Sequence, residues 1–221
     1  MHTQGKSSRG AYIGMDVHKN ICSYAILTAE LQHYKAGWIS NPSEIRGVVR
    51  NVVKELGSVA VGIDAPRCAL TEARSHYWER GHWRQRHASD KGYGRHCEVV
   101  VAALRLANPQ YTPLLEACPK WMQLGFELFK ALDGEAEVYE VFPRASLNQL
   151  DQDDSATFSI SLKEFAHGPE HMLDAYVAAY TVHEYLAGRG AEIGGGDGLG
   201  SIILPRSLPQ NVSKVLEWQK S

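Results

Sequence analysis

Four carboxylates and one histidine stand where apolar segments end or a helix begins. Asp16 closes Tyr12-Ile-Gly-Met-Asp16, and Asp64 closes Ala60-Val-Gly-Ile-Asp64. Glu140 lies within Glu137-Val-Tyr-Glu-Val-Phe142, and His171 and Asp174 share His171-Met-Leu-Asp174. Carboxylates from separate elements that converge on one point can hold two divalent cations about 3.5–4 Å apart, the arrangement that phosphoryl chemistry uses. Oxygen-rich donor sets of this kind suit Mg²⁺ or Mn²⁺.

Period-two alternation puts Tyr12, Gly14 and Asp16 on one face of a strand and Ala60, Gly62 and Asp64 on one face of another. The missing side chain two residues before each aspartate is expected to leave open space that a metal ion or substrate fills. If the two strands are parallel neighbours, both aspartates meet at their carboxyl ends, where open α/β sheets place their sites. Glu140 shares a face with Val138 and Phe142, and a carboxylate on an apolar face needs a partner. His171 and Asp174, three apart, are neighbours on a helix whose Ala175, Ala178 and Ala179 allow close approach to a sheet.

Three β-branched and aromatic runs, 11–17, 21–27 and 33–39, predict a β-meander. Asn41-Pro-Ser-Glu then opens an amphipathic helix that Gly57 stops, and 58–64 is an apolar run suited to a buried parallel strand after a right-handed crossover. The order is therefore βββαβ. Residues 65–134 hold no clear strand and read as a largely helical insertion, placed at about 67–134, with helices near 96–107 and after Pro119. Glu137–Phe142 is expected as the fifth strand, and 169–188 as a strong helix. The domain division expected is a flexible N-terminus over 1–10, one domain over 11–205 and a tail over 206–221. The seven glycines between Gly188 and Gly200 follow a helix and lack Gly-Lys-Ser/Thr, so they read as a flexible turn rather than a phosphate loop.

Of 221 residues, 44% are apolar, enough for one well-buried domain, and 23 Lys+Arg against 25 Asp+Glu give a net charge of −2. No chain-wide basic field exists, so nucleic-acid binding requires a local patch. Residues 74–96 offer one: six cations (74, 80, 84, 86, 91 and 95) against Glu79 and Asp90 leave +4, interleaved with Tyr77, Trp78, Trp83 and Tyr93. Phosphate attraction with base stacking is how single strands are held, so Arg84, Arg86, Lys91 and Arg95 are the expected nucleic-acid contacts. The alternative is a solvated insertion whose tryptophans dock on the core. Apolar runs such as 98–104 fall short of a membrane span, and no secretory signal is visible, so a soluble, cytoplasmic protein is expected. Cysteines 22, 68, 97 and 118 show no metal-like spacing and read as buried apolar residues.

The segments Gly14-Met-Asp16, Gly62-Ile-Asp-Ala-Pro66, Gly94-Arg-His-Cys-Glu98, Glu140-Val-Phe-Pro143, His171 to Ala179 and Gly200-Ser-Ile-Ile-Leu-Pro205, in that order, resemble the DUF429 family of predicted ribonuclease H-like nucleases. That resemblance implies an α/β ribonuclease H-like fold with a mixed five-stranded sheet of order 3-2-1-4-5, strand 2 antiparallel. It places Asp16 beside Asp64 and brings Asp174 over them. His171-Met-Leu-Asp174 is similar to the last helix of Holliday-junction resolvases, whereas Val17-His-Lys-Asn20 is more like the start of IS110-type transposases.

The function this suggests is a metal-dependent nuclease acting on DNA or RNA. Asp16, Asp64 and Asp174 bind Mg²⁺ or Mn²⁺, Glu140 is an added or supporting ligand, and His171 orients water or assists proton transfer. The rival readings are a non-catalytic nucleic-acid or protein-binding module and, further off, a transposase-related protein or an actin-like phosphotransferase. His18-Lys19 occupies the turn where an ATPase needs glycines. The oligomeric state is left open, a homodimer included.

Overall fold

The computed structural model describes residues 9–151, 155–161, 163, 168–208 and 213–219. The three alternating runs become β1 (Ala11–His18), β2 (Ile21–Thr28) and β3 (His33–Ile39), an antiparallel meander. Pro42 stands in the first turn of α1 (Pro42–Leu56), and the Asn41 side chain accepts a hydrogen bond from Ser43 N at 2.9 Å, satisfying one of the amides a helix start leaves free. Gly57, at φ 86°, ends the helix, and β4 (Val59–Asp64) returns parallel to β1.

Beyond the insertion, β7 (Glu137–Val141) pairs parallel with β4. The order β3-β2-β1-β4-β7, with β2 antiparallel to its neighbours, is the ribonuclease H-like arrangement. The sheet continues further than five strands. β9 (Ser201–Leu204) adds parallel to β7, and β8 (Ala191–Gly194) adds antiparallel to β9, giving seven. Part of the expected glycine-rich turn is therefore strand.

The two sheet faces take different covers. Ile13, Met15, Val61 and Ile63 pack against Ile45 and Val49 of α1 and Leu128 of α3 (Lys120–Leu132). Tyr12 and Ala60, one residue out of phase, pack against α5 (Pro169–Leu186), whose Ala175, Ala178 and Ala179 are fully buried. Gly14 and Gly62 lie on that second face, and here an expectation is corrected. The space beside each aspartate is not open. A Cβ on Gly14 would stand 1.8 Å from the Ala175 carbonyl oxygen and 2.3 Å from Ala179 N, and one on Gly62 would stand 2.7 Å from Val182 Cγ2. The glycines admit the α5 backbone onto the sheet, and that approach brings Asp174 close to the strand ends.

The insertion is less helical than expected. His76–Glu79 (β5) and His82–Gln85 (β6) form a hairpin with Trp78 opposite Trp83, turned by Arg80 (φ 51°) and Gly81 (φ 84°). Two consecutive positive φ angles match the twist of the flanking strands. The tryptophans meet edge to face at 5.3 Å and pack on a core cluster with α2 (His96–Ala103), so they dock on the domain. Pro143, read as a strand stop, also opens α4 (Pro143–Leu150). The tail past residue 205 folds back in part: in α6 (Ser213–Leu216) Val215 is buried, and the Trp218 ring lies 4.9 Å from His96. Residues 1–8 of the expected flexible terminus lie outside the described residues, while Gly10 N donates to Ser58 O at 2.7 Å. Cys22, Cys97 and Cys118 are buried, and Cys68 is half-buried. Among the described residues, no helix is long and apolar enough to cross a membrane.

Candidate metal centre

β1 and β4 pair in a register that sets Gly14 opposite Gly62 and Asp16 opposite Asp64. Both aspartates point to the face that α5 covers, and Asp174 lies one turn inside that helix. One carboxylate oxygen from each of Asp16, Asp64 and Asp174 falls within 4.8 Å of the other two. At that separation two carboxylate charges repel by about 3–4 kcal/mol at an effective dielectric of about 20, so three cannot all stay ionised without a counter-charge.

The protonation equilibria record this strain. Asp16, 5% exposed, has its carboxyl raised to about 6, first by burial and then by Asp174, with His171 opposing both. Burial, Asp16 and Asp174 push Asp64 well above the usual carboxylate range. Burial also raises Asp174, against the pull of Arg144 and His171. Metal-free, the cluster holds protons where a cation would otherwise balance the charge.

His171 Nδ1 lies 2.8 Å from the buried Asp16 Oδ2, and the Asp16 and Asp64 carboxyls share a hydrogen bond. The His18 ring packs on His171 with centroids 3.8 Å apart. Burial, His171 and Lys19 hold the His18 imidazole below its ordinary value. Three mutually repelling carboxylates that each offer an oxygen within 4.8 Å of the others fit a hard divalent cation.

Other expected site residues lie elsewhere. Glu140 is not among the converging carboxylates, though its charge reaches Asp64 and adds to the rise of that carboxyl. Its Oε2 accepts from Arg95 Nη1 at 2.8 Å and from Arg67 N at 2.9 Å, and its Oε1 accepts from Arg95 Nη2. Arg95 is 1% exposed and also donates to Glu98 through Nε and Nη2, so it is a buried tie and not a phosphate contact. Burial alone would lower its pKa, but Glu140 and Glu98 more than offset that and keep it cationic. Arg84 is committed to Glu79 and Asp90. Of the four expected contacts, Arg86 and Lys91 are exposed, with Arg86 Nε donating to the Asp90 carbonyl at 3.2 Å.

Two residues near the cluster had escaped the sequence reading. Arg144, exposed in the first turn of α4, acts on Asp174. The signal for it was a cation directly after the Pro143 that opens a helix at the end of β7. His18 was legible from alternation alone, because it shares Asp16's face two residues on.

No family model matches the chain, and no curated protein matches it. Among solved structures, that of Thermus thermophilus RuvC is similar over 81% of this chain and 95% of that chain, at 12% identity and a TM-score of 0.37. That of T. thermophilus RuvC in complex with a Holliday junction substrate is similar over 81% of this chain and 94% of that one, at 10% identity and a TM-score of 0.35.

Proposed function

We propose that this chain is a metal-dependent phosphodiesterase that cleaves nucleic acid, in line with its sequence resemblance to the DUF429 family. The observation that carries the reading is the convergence of Asp16, Asp64 and Asp174, with Asp16 buried, at the carboxyl ends of two parallel strands. These three carboxylates would hold Mg²⁺ or Mn²⁺. Divalent cations at such a site supply a water nucleophile of lowered pKa and neutralise charge on the leaving oxygen.

The chain's own groups set the conditions for that chemistry. Asp64 anchors the floor of the site from β4, and Asp174 closes it from α5, a helix seated by Gly14 and Gly62. His171, with Nδ1 against Asp16, keeps its other ring nitrogen to take up or release a proton. Arg144 places a positive charge near Asp174 where a substrate phosphate would approach. The two-residue turn Lys19-Asn20 between β1 and β2 is too short to wrap a triphosphate, which weighs against an actin-like phosphotransferase.

The test is cleavage of end-labelled single-stranded, duplex and branched DNA and RNA with Mn²⁺, by wild type, Asp64→Asn and Asp174→Asn. Cation-dependent cleavage that both substitutions abolish supports the reading. Cleavage that persists in chelator or in both variants overturns it.

A further inference from the structure

Arg74 precedes β5 in a region away from the carboxylate cluster. It is 8% exposed, and its Nε and Nη1 are buried without a hydrogen-bond partner. Its guanidinium carbon lies 3.9 Å from the Tyr77 ring centroid and 5.0 Å from that of Tyr111, whose hydroxyl shares a hydrogen bond with it. No carboxylate among the described residues forms an ion pair with it. Asp90, on the same cavity, is already held by Arg84 and by His87 N. A buried guanidinium with aromatic walls and no counter-anion is an incomplete arrangement, because burying an unpaired charge is costly.

The missing partner has room. Arg74 lines a cavity of about 610 Å³ between residues 74–93 and the segment 110–119, along with Lys91, Tyr93 and Tyr111, and also a separate one of about 150 Å³ that Glu72 and Asp197 line. The larger volume is within the range of about 300–1,000 Å³ typical of small-molecule sites. With Asp90 neutralised by Arg84, the balance of the cavity is cationic. Tyr111 is 37% exposed, and Tyr93 is half-buried. A planar cation fork matches phosphate oxygens, and accessible aromatic rings accept a base by stacking.

We propose that this cavity binds a nucleoside phosphate, with Arg74 and Lys91 taking the phosphate and a tyrosine taking the base. The same chemistry serves a free mononucleotide or one nucleotide of a single strand. The proposal does not depend on cleavage at the carboxylates, because the site needs no divalent cation.

The test is calorimetric titration of the full chain in EDTA with adenosine 5′-monophosphate, adenosine and a short single-stranded oligonucleotide. Saturable binding is expected for the phosphate-bearing probes, with adenosine weaker by roughly tenfold or more, and Arg74→Gln is expected to lose roughly tenfold or more of the affinity. A mononucleotide that binds as tightly as the oligonucleotide identifies a free nucleotide as the ligand, and a tighter oligonucleotide identifies a strand. If Arg74→Gln does not fold, Lys91→Ala and Tyr111→Ala, at exposed positions, must each weaken binding. Absence of saturable binding, equal binding of adenosine, or unchanged affinity in the folded variants overturns the proposal.

Discussion

Replacing Asp16 by asparagine should make the metal-free protein more stable, not less. The folded carboxyl is raised from 3.8 to about 6, first by burial and then by Asp174. A group whose folded value is raised stabilises the fold when protonated, and that stabilisation is lost as pH rises through about 6. The shift of about 2 units corresponds to about 3 kcal/mol of lost stability at pH 7.5, which a neutral asparagine of the same shape does not incur. For a chain of this length, that is a rise in Tm of about 6–12 °C. The assay is thermal unfolding by circular dichroism in EDTA from pH 4 to pH 8. The variant should nearly match wild type at pH 4, exceed it increasingly as pH rises to about 6, and keep a constant margin above that. A variant less stable than wild type at pH 7.5, or a difference independent of pH, would refute the electrostatic reasoning.

Other consequences can be tested in the same way. Gly14→Ala would drive a methyl into the α5 backbone, so it should destabilise by at least about 3 kcal/mol by overpacking and weaken cation binding by displacing Asp174, read by denaturant unfolding and calorimetry. Glu140→Ala removes one of the two carboxylates that hold buried Arg95, leaving Glu98 as its remaining ion-pair partner, and should cost about 3 kcal/mol, with the loss visible as a lowered denaturant midpoint. Glu184, 2% exposed, accepts from Arg189 Nε at 2.8 Å and from Arg206 Nη1 at 2.5 Å, and these partners overcome its burial and hold its carboxyl well below the usual range. Its contribution is present above the unfolded value near 4.5 and lost as pH falls through the folded one. Glu184→Gln should therefore destabilise at pH 7 and lose that effect in strong acid, as followed by Tm.

The sheet core was legible because Gly14-Met-Asp16 and Gly62-Ile-Asp64 alternate cleanly and each run is bounded by turn residues. His171 and Asp174 were legible as a pair one helical turn apart. Glycine was misread because a sequence reveals a missing side chain but not what fills the gap, and here the filler is a helix backbone. Arg95 was misread because charge carries no label of burial. Its partners Glu98 and Glu140 lie 3 and 45 residues away, and only the fold brings Glu140 to it. The hairpin was hidden because Arg80-Gly81 lacks the Asn-Gly or Asp-Gly signature, and the cations around it drew the reading toward a binding patch. β8 and β9 are four residues each, too short for alternation to distinguish them from glycine-rich loop.

The central claim is that three carboxylates from β1, β4 and α5 form one cation site. It is tested most directly by calorimetric titration of Mn²⁺ into wild type and into Asp174→Asn, the residue most distant in sequence from the other two. Saturable binding in wild type that is lost in a folded Asp174→Asn is the expected result. Equal binding by the two proteins, or no binding by wild type at millimolar Mn²⁺ with a short nucleic acid present, would contradict it.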